Sequence, residues 1–238
     1  MRKLLVSAVL TCFAPAVLSA QSDDAIVAYF ALIETPPGAL PTRLSAPMLN
    51  RQMTSTDVSL RYGYVSLSGA SLHTIGLTLG IPAGTKTAFG VTAGYQGVSC
   101  EGGDCKGHFV ASANAEGRLS SSPLGTGNDA PNLNIGLNGE LGFGKPEGGT
   151  LLSATVGVPF ALVSGSPTLR IAPYLTPAIG FGHASGGGES RSGARILLGG
   201  GVSFNNLQNG IGINLGFQKV FIDSGDTMLG ISVSFGAR

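Results

Sequence analysis

Leu133-Asn134-Ile135-Gly136-Leu137-Asn138-Gly139-Glu140-Leu141-Gly142-Phe143 is the stretch that decides the architecture. Leu133, Ile135, Leu137, Leu141 and Phe143, with Gly139, fall on one side of an extended chain. Asn134, Gly136, Asn138, Glu140 and Gly142 fall on the other. Successive side chains of a strand point to opposite faces, whereas a helix repeats its apolar positions every three or four residues. This segment is therefore a half-buried strand.

The same period of two recurs along the chain. Strands are expected over about 57–68 (Val58, Leu60, Tyr62, Tyr64), 72–82 (Ile75, Leu77, Leu79, Ile81), 87–98 (Phe89, Val91, Ala93, Tyr95) and 108–119 (Phe109, Ala111, Ala113, Ala115). Beyond 133–143 they follow over 151–163 (Leu152, Val156, Val158, Phe160, Leu162), 169–182 (Leu169, Ile171, Leu175, Ile179, Phe181) and 194–204 (Ile196, Leu198, Val202, Phe204). The last two are 211–221 (Ile211, Ile213, Leu215, Phe217) and 227–236 (Leu229, Ile231, Val233, Phe235). Turn-forming residues separate them, at Ala83-Gly84-Thr85-Lys86, Lys145-Pro146-Glu147-Gly148-Gly149, Asn205–Gly210 and Asp223-Ser224-Gly225-Asp226. The count is ten strands, or eight if the first pair joins differently, and no helical period interrupts them.

Which side of these strands faces water is decided by the non-apolar face. Only 11% of the 238 residues are charged, and 38 are glycine. Between Ser71 and Ser99 the one charged residue is Lys86, in a turn; between Thr150 and Gly182 it is Arg170. A water-exposed surface carries about a quarter or more of charged residues, so a face of Gly, Ser, Thr and Asn suits an enclosed lumen better. The strands also have the length of about 9–11 residues needed to cross a bilayer on a tilt. In hydrocarbon every backbone amide must pair within the structure, so such a sheet has to close on itself. The expected fold is all-β, a closed antiparallel transmembrane β-barrel over 57–238. A net charge of +1 leaves no electrostatic footprint for nucleic acid, and 43% apolar residues argue against disorder.

The chain opens with Arg2 and Lys3 followed by an apolar run from Leu4 to Leu18 and the small pair Ser19-Ala20. That is the pattern of a cleaved signal peptide over 1–20, with Cys12 inside the discarded part. Residues 21–56 form an N-terminal extension. Ile26, Tyr29, Phe30 and Ile33 sit at helical spacing behind Asp23 and Asp24, and Pro36-Pro37 ends the run, so the extension reads either as a short helix plugging or capping the periplasmic mouth or as a partly ordered tail or extra strand. Of the remaining cysteines, Cys100 and Cys105 flank Glu-Gly-Gly-Asp, and in an exported chain such a pair reads as a disulfide that stiffens a loop tip. His73, His108 and His183 are scattered, so no metal and no cofactor is expected.

Together, the signal peptide, the alternating strands and a final strand Leu229-Gly230-Ile231-Ser232-Val233-Ser234-Phe235 resemble the small outer-membrane β-barrel proteins of Gram-negative-type bacteria. The resemblance covers about 57–238 and implies an outer-membrane location, with membrane lipid and the barrel-assembly machinery as partners. Such proteins usually finish on an aromatic residue, whereas here Phe235 is followed by Gly236-Ala237-Arg238. With both termini periplasmic, the 100–105 loop, the 144–150 turn, a Gly/Ser-rich loop at 183–193 and the 223–226 turn face outside. The connection 120–132 is then a long periplasmic one.

Arg61, Glu116, Arg118, Glu140, Arg170 and Arg195 are expected to line the lumen among inward glycines whose missing volume water or the extension must fill. Three roles follow from such a lumen: a structural or surface-interaction barrel, a narrow small-solute channel, or a lipid-modifying enzyme. His183-Ala184-Ser185 with Glu189 resembles the His-x-Ser pair of outer-membrane lipid A deacylases, but it lacks their following Asn, and the Glu comes too soon.

Overall fold

The structure is a computed structural model that describes residue 49 and residues 56–67, 70–100, 106–127, 130–166, 168–186, 189–221 and 227–236; the side chains at 67, 70, 100, 189 and 191 stay outside that description. The signal peptide over 1–20, the helical run at 26–33 and the rest of 21–56 apart from Leu49 and Thr56 lie outside the described residues. So do Cys105 and the Cys100 side chain, hence the disulfide.

No helix occurs among the described residues. In chain order the strands are β1 (Asp57–Leu67), β2 (Ala70–Pro82), β3 (Thr87–Cys100), β4 (His108–Pro123), β5 (Asn132–Lys145) and β6 (Gly149–Gly157). They continue with β7 (Phe160–Gly165), β8 (Leu169–Gly186), β9 (Glu189–Asn206), β10 (Ile211–Phe221) and β11 (Thr227–Gly236). The sheet runs β4-β3-β2-β1-β11-β10-β9-β8-β6-β5, and β4 pairs with β5, so the ring is closed. Every neighbour is antiparallel, including the closing pair of first and last strands, β1 and β11.

The strand expected over 151–163 is broken in two at Val158-Pro159. Both pieces lie between β5 and β8, and the register is unchanged across the break: Asn138↔Gly157 is followed by Ile135↔Phe160, and Gly157↔Ala178 by Phe160↔Leu175. They form one stave of a ten-stave barrel. The cause is proline, which has no N–H for the ladder. Pro159 falls within this stave, and Pro173 and Pro177 fall on β8 alongside it. Backbone contact survives, because Gly136 N–H donates to Pro159 O at 2.9 Å and Val158 N–H to Pro177 O at 3.0 Å.

Three expected loops shrink. The 183–193 loop is strand up to Gly186 and again from Glu189, with His183 opposite Ser192 and Ser185 opposite Ser190. Gly and Ser carry no apolar signal, yet a neighbouring backbone is enough to keep them paired. The 144–150 turn contracts to 146–148 around Gly148, whose φ is 72°. The 120–132 connection contracts to 124–131, since β4 continues past a bulge at Arg118/Ser120 to Pro123.

The registers fix the barrel's shear. From Leu60 one walk passes through Leu77, Ala93, Ala111, Phe143, Leu152 and His183 to Ser192 on β9. The opposite walk passes through Val233 and Ile213 to Phe204 on the same strand. Residues 192 and 204 are twelve apart, so ten strands close with a shear of twelve. That combination tilts the strands by about 40°, gives a backbone radius of about 10 Å, and lets each residue climb about 2.5 Å along the axis.

Leu77, Leu141, Val156, Ile196 and Leu229 are among the many large apolar side chains exposed on the outer wall, Leu141 by 65%. With the shear included, Tyr64, Tyr95, Phe109, Phe143, Phe181 and Phe221 come within about 4 Å of one level, near the far rim. Phe89, Phe160, Phe204 and Phe235 come within about 5 Å of a second level, near the rim that carries Asp57 and Gly236. The two aromatic rings are about 19 Å apart, the arrangement of girdles at the two interfaces of an apolar band. On this outer wall Gly200 stands opposite Phe217, whose ring covers it, filling what would be a notch.

A cation placed midway between the rings has to lose most of its water. Leu77→Arg, at that midpoint, should cost about 2–4 kcal/mol, and Leu169→Arg, beyond the near ring, about 0–1 kcal/mol. Urea titration of the refolded protein in lipid vesicles measures both, and equal costs would show that the outer wall does not face hydrocarbon.

Candidate functional site

The inner wall is built from the alternate residues of the same strands. Arg61 and Arg195 are each 1% exposed and Glu140 is 7% exposed; Glu116, Arg118 and Arg170 are half-buried. All six occupy inward positions. Arg61 and Glu140 share a mid-lumen level, Arg195 sits toward the far rim, and Glu116, Arg118 and Arg170 sit toward the near rim. Arg61 Nε donates to Ser59 Oγ at 3.4 Å and Arg195 NH1 to Ala194 O at 3.0 Å. Glu116, Arg118 and Glu140 have partners as well.

The inward glycines are explained by register. Arg61 stands opposite Gly76, Arg118 opposite Gly136, Arg170 opposite Gly165 and Arg195 opposite Gly180. Tyr174 stands opposite Gly201, Asn138 opposite Gly157 and Asn114 opposite Gly90. A Cβ on Gly201 would lie 2.7 Å from the Tyr174 hydroxyl, and one on Gly157 would lie 2.8 Å from Asn138 Oδ1. In a barrel about 10 Å in backbone radius, a long inward side chain lies along the wall, across a neighbour that has none. Neighbouring side chains therefore take up part of the volume left by the glycines.

Three layers follow one another along the axis. Toward the far rim Val65, Leu72, Val110, Leu151, Leu197, Val220 and Met228 point inward from seven of the ten staves, all buried. Val65, Leu72 and Met228 pack together with Val98, and Leu197 packs with Val220 and Ala178. The middle layer is polar: Thr78 and Thr92 share a 2.6 Å bond and Asn214 Nδ2 donates to Ser232 Oγ at 3.2 Å; nearer the far rim, Gln96 Nε2 donates to Thr74 Oγ1 at 3.0 Å. Asn114 Oδ1, Asn138 Oδ1, Tyr174 OH, Thr176 Oγ1 and Asn214 Oδ1 are buried without a partner among the described residues. They come within about 6 Å of one level, on β4, β5, β8 and β10. The near layer is a small apolar cluster of Ala161, Val163, Ala172 and Tyr174 with Leu49.

Sequence reasoning missed the far layer, because Val65, Leu72, Leu151 and Val220 fall in phase with polar residues. Their apolar character at that phase was the available signal. Tyr174 was missed for the same reason. His183 is oriented by pairing instead of by a loop, with Nδ1 2.8 Å from Ser192 Oγ and not bonded to Ser185. Both sit on the outer side beyond the far aromatic ring. Among the described residues no group of His, Cys, Asp and Glu could hold a metal ion.

A closed ten-stave barrel with an apolar outer wall and buried inward side chains defines the class. No family model matches the sequence, and no curated protein does. Among solved structures the chain is similar to the N-terminal β-barrel domain of Pseudomonas aeruginosa OprF, with 10% identity over 79% of this chain and 100% of that one, at a TM-score of 0.37. It is also similar to Ail, the attachment invasion locus protein of Yersinia pestis, with 13% identity over 76% and 95% and a TM-score of 0.32. The Acinetobacter baumannii outer-membrane protein Omp33 follows, with 10% identity over 77% and 98% and a TM-score of 0.30. The likeness to these bacterial outer-membrane barrel proteins is one of fold, and no particular subfamily emerges from it.

Glu140 is the one acidic group described at mid-lumen, in a wall that also buries Arg61 and Arg195. Glu140→Gln should lower stability by about 1–3 kcal/mol, the cost of leaving buried charged groups short of an acceptor. The urea midpoint reports it.

Proposed function

We propose that this protein is a sealed barrel of the bacterial outer membrane. Its role is structural or lies in contacts made at its outward rim, and not in transport or catalysis. The observation that carries this reading is the apolar far layer. Val65, Leu72, Val110, Leu151, Leu197, Val220 and Met228 point inward from seven staves of a barrel about 10 Å in backbone radius, at a level where a conducting path would need water. The apolar outer wall and its two aromatic rings support the membrane location. Export by a signal peptide cut after Ala20, assembly by the outer-membrane machinery, bound lipid as the surrounding solvent and no nucleic acid complete the proposal, with Cys100 and Cys105 bridged in an outward loop.

The far rim is the outward one in this reading, and the β8–β9 hairpin stands tallest there, about 13 Å beyond the aromatic ring. It is the natural contact element. A second reading, a narrow channel with a mild anion preference, is favoured by the inward Arg61, Arg118, Arg170 and Arg195 outnumbering Glu116 and Glu140. Planar-bilayer recording separates the two. The refolded chain should show no stable conductance steps. Steady steps in the unmodified protein would overturn the sealed reading.

A further inference from the structure

We propose that the near half of the lumen is a binding seat for the chain's own N-terminal segment, with Leu49 as the anchor. Leu49 lies outside the ladder of strands, eight residues before Asp57, yet it is 3% exposed. It packs against Ala161, Val163, Ala172 and Tyr174, which are inward residues of β7 and β8. A side chain that belongs to no strand thus sits inside the barrel, on the wall away from the point where the chain joins it. In the ring, β8 is four staves from β1 by way of β11, and the β6–β7 stave is the next one on. Opposite walls of such a barrel are about 20 Å apart, and eight extended residues reach about 27 Å, so the connection to Asp57 can span the mouth.

The wall above Leu49 has the chemistry to hold more of the same segment. Asn114, Asn138, Tyr174, Thr176 and Asn214 offer amide oxygens and hydroxyls that lack partners among the described residues. None of the five is charged. Each residue of a peptide other than proline brings one N–H donor and one C=O acceptor, which complements this set. Residues 21–48 supply ample chain for the purpose. Leu49 fills the apolar seat, and backbone groups of the segment before it satisfy the ring of orphaned atoms. This inference stands apart from the sealed reading, since the seat lies toward the near rim and the apolar side chains behind that reading lie toward the far one.

The test uses the mature chain folded in detergent micelles, with Cys100→Ser and Cys105→Ser and a single new cysteine. Leu49→Cys is compared with Thr85→Cys, in the exposed near-rim turn, by the rate of reaction with a charged maleimide. Position 49 should react at least about tenfold more slowly, because labelling has to wait for local opening. Adding Tyr174→Ala should bring its rate up toward that of position 85, while unheated samples keep their folded gel mobility. Ala172→Glu, which places a carboxylate in the seat, serves if Tyr174→Ala does not fold. Equal rates at 49 and 85 in the folded chain would overturn the proposal. So would protection at 49 that survives both seat variants.

Discussion

A backbone amide in hydrocarbon has no partner available except another backbone group, and this constraint organises the whole molecule. It requires the pairing of β1 with β11, whose nine matched positions join the two ends of the described chain into a ring. It also explains how a stave can tolerate Pro159 beside Pro173 and Pro177. The ladder loses donors there, yet the register holds on both sides and the Gly136 and Val158 amides find the proline carbonyls. Closure with a shear of twelve then sets the radius, and the radius sets what the interior can contain.

The interior is where the chain departs from a simple inversion of a soluble core. Its outer wall is apolar between the aromatic rings, and its middle layer is polar, as an inside-out barrel requires. Toward the far rim apolar side chains point inward as well, among buried Gln96, His108 and Arg195, so that part of the wall carries apolar groups on both faces. Burying Leu72, Leu151 and Leu197 there removes apolar surface from water at about 25 cal/mol per Å². Cross-strand bonds, Thr74 with Gln96 toward the far rim and Thr78 with Thr92 at mid-lumen, tie neighbouring staves on the inner side.

Strand number and the outward direction of the apolar face were legible in the sequence, because a period of two needs only local information. The break at Pro159 changed the number of elements but not the number of staves. Loops were less legible: Ser185, Gly186 and Ser190 look like a turn when hydropathy alone is read, but opposed backbones pair them. The shear was not legible, since register is a property of pairs of strands and no single strand carries it. The lumen's layering went with it, because Arg61 and Glu140 can be placed at one level only once the ring is traced. Leu49 was invisible for a different reason. It sits in a segment without alternation, and its neighbours in space are more than a hundred residues away in the chain.

The matching of bulky inward side chains to glycines has a consequence for how such a sequence can drift. Tyr174 and Gly201, or Arg195 and Gly180, behave as two halves of a single choice of volume. Enlarging the small member is tolerable only if the large one shrinks in the same lineage. Related chains should accordingly exchange these positions jointly across adjacent staves, leaving a trace of paired substitutions from which the barrel's register could be recovered without any coordinates.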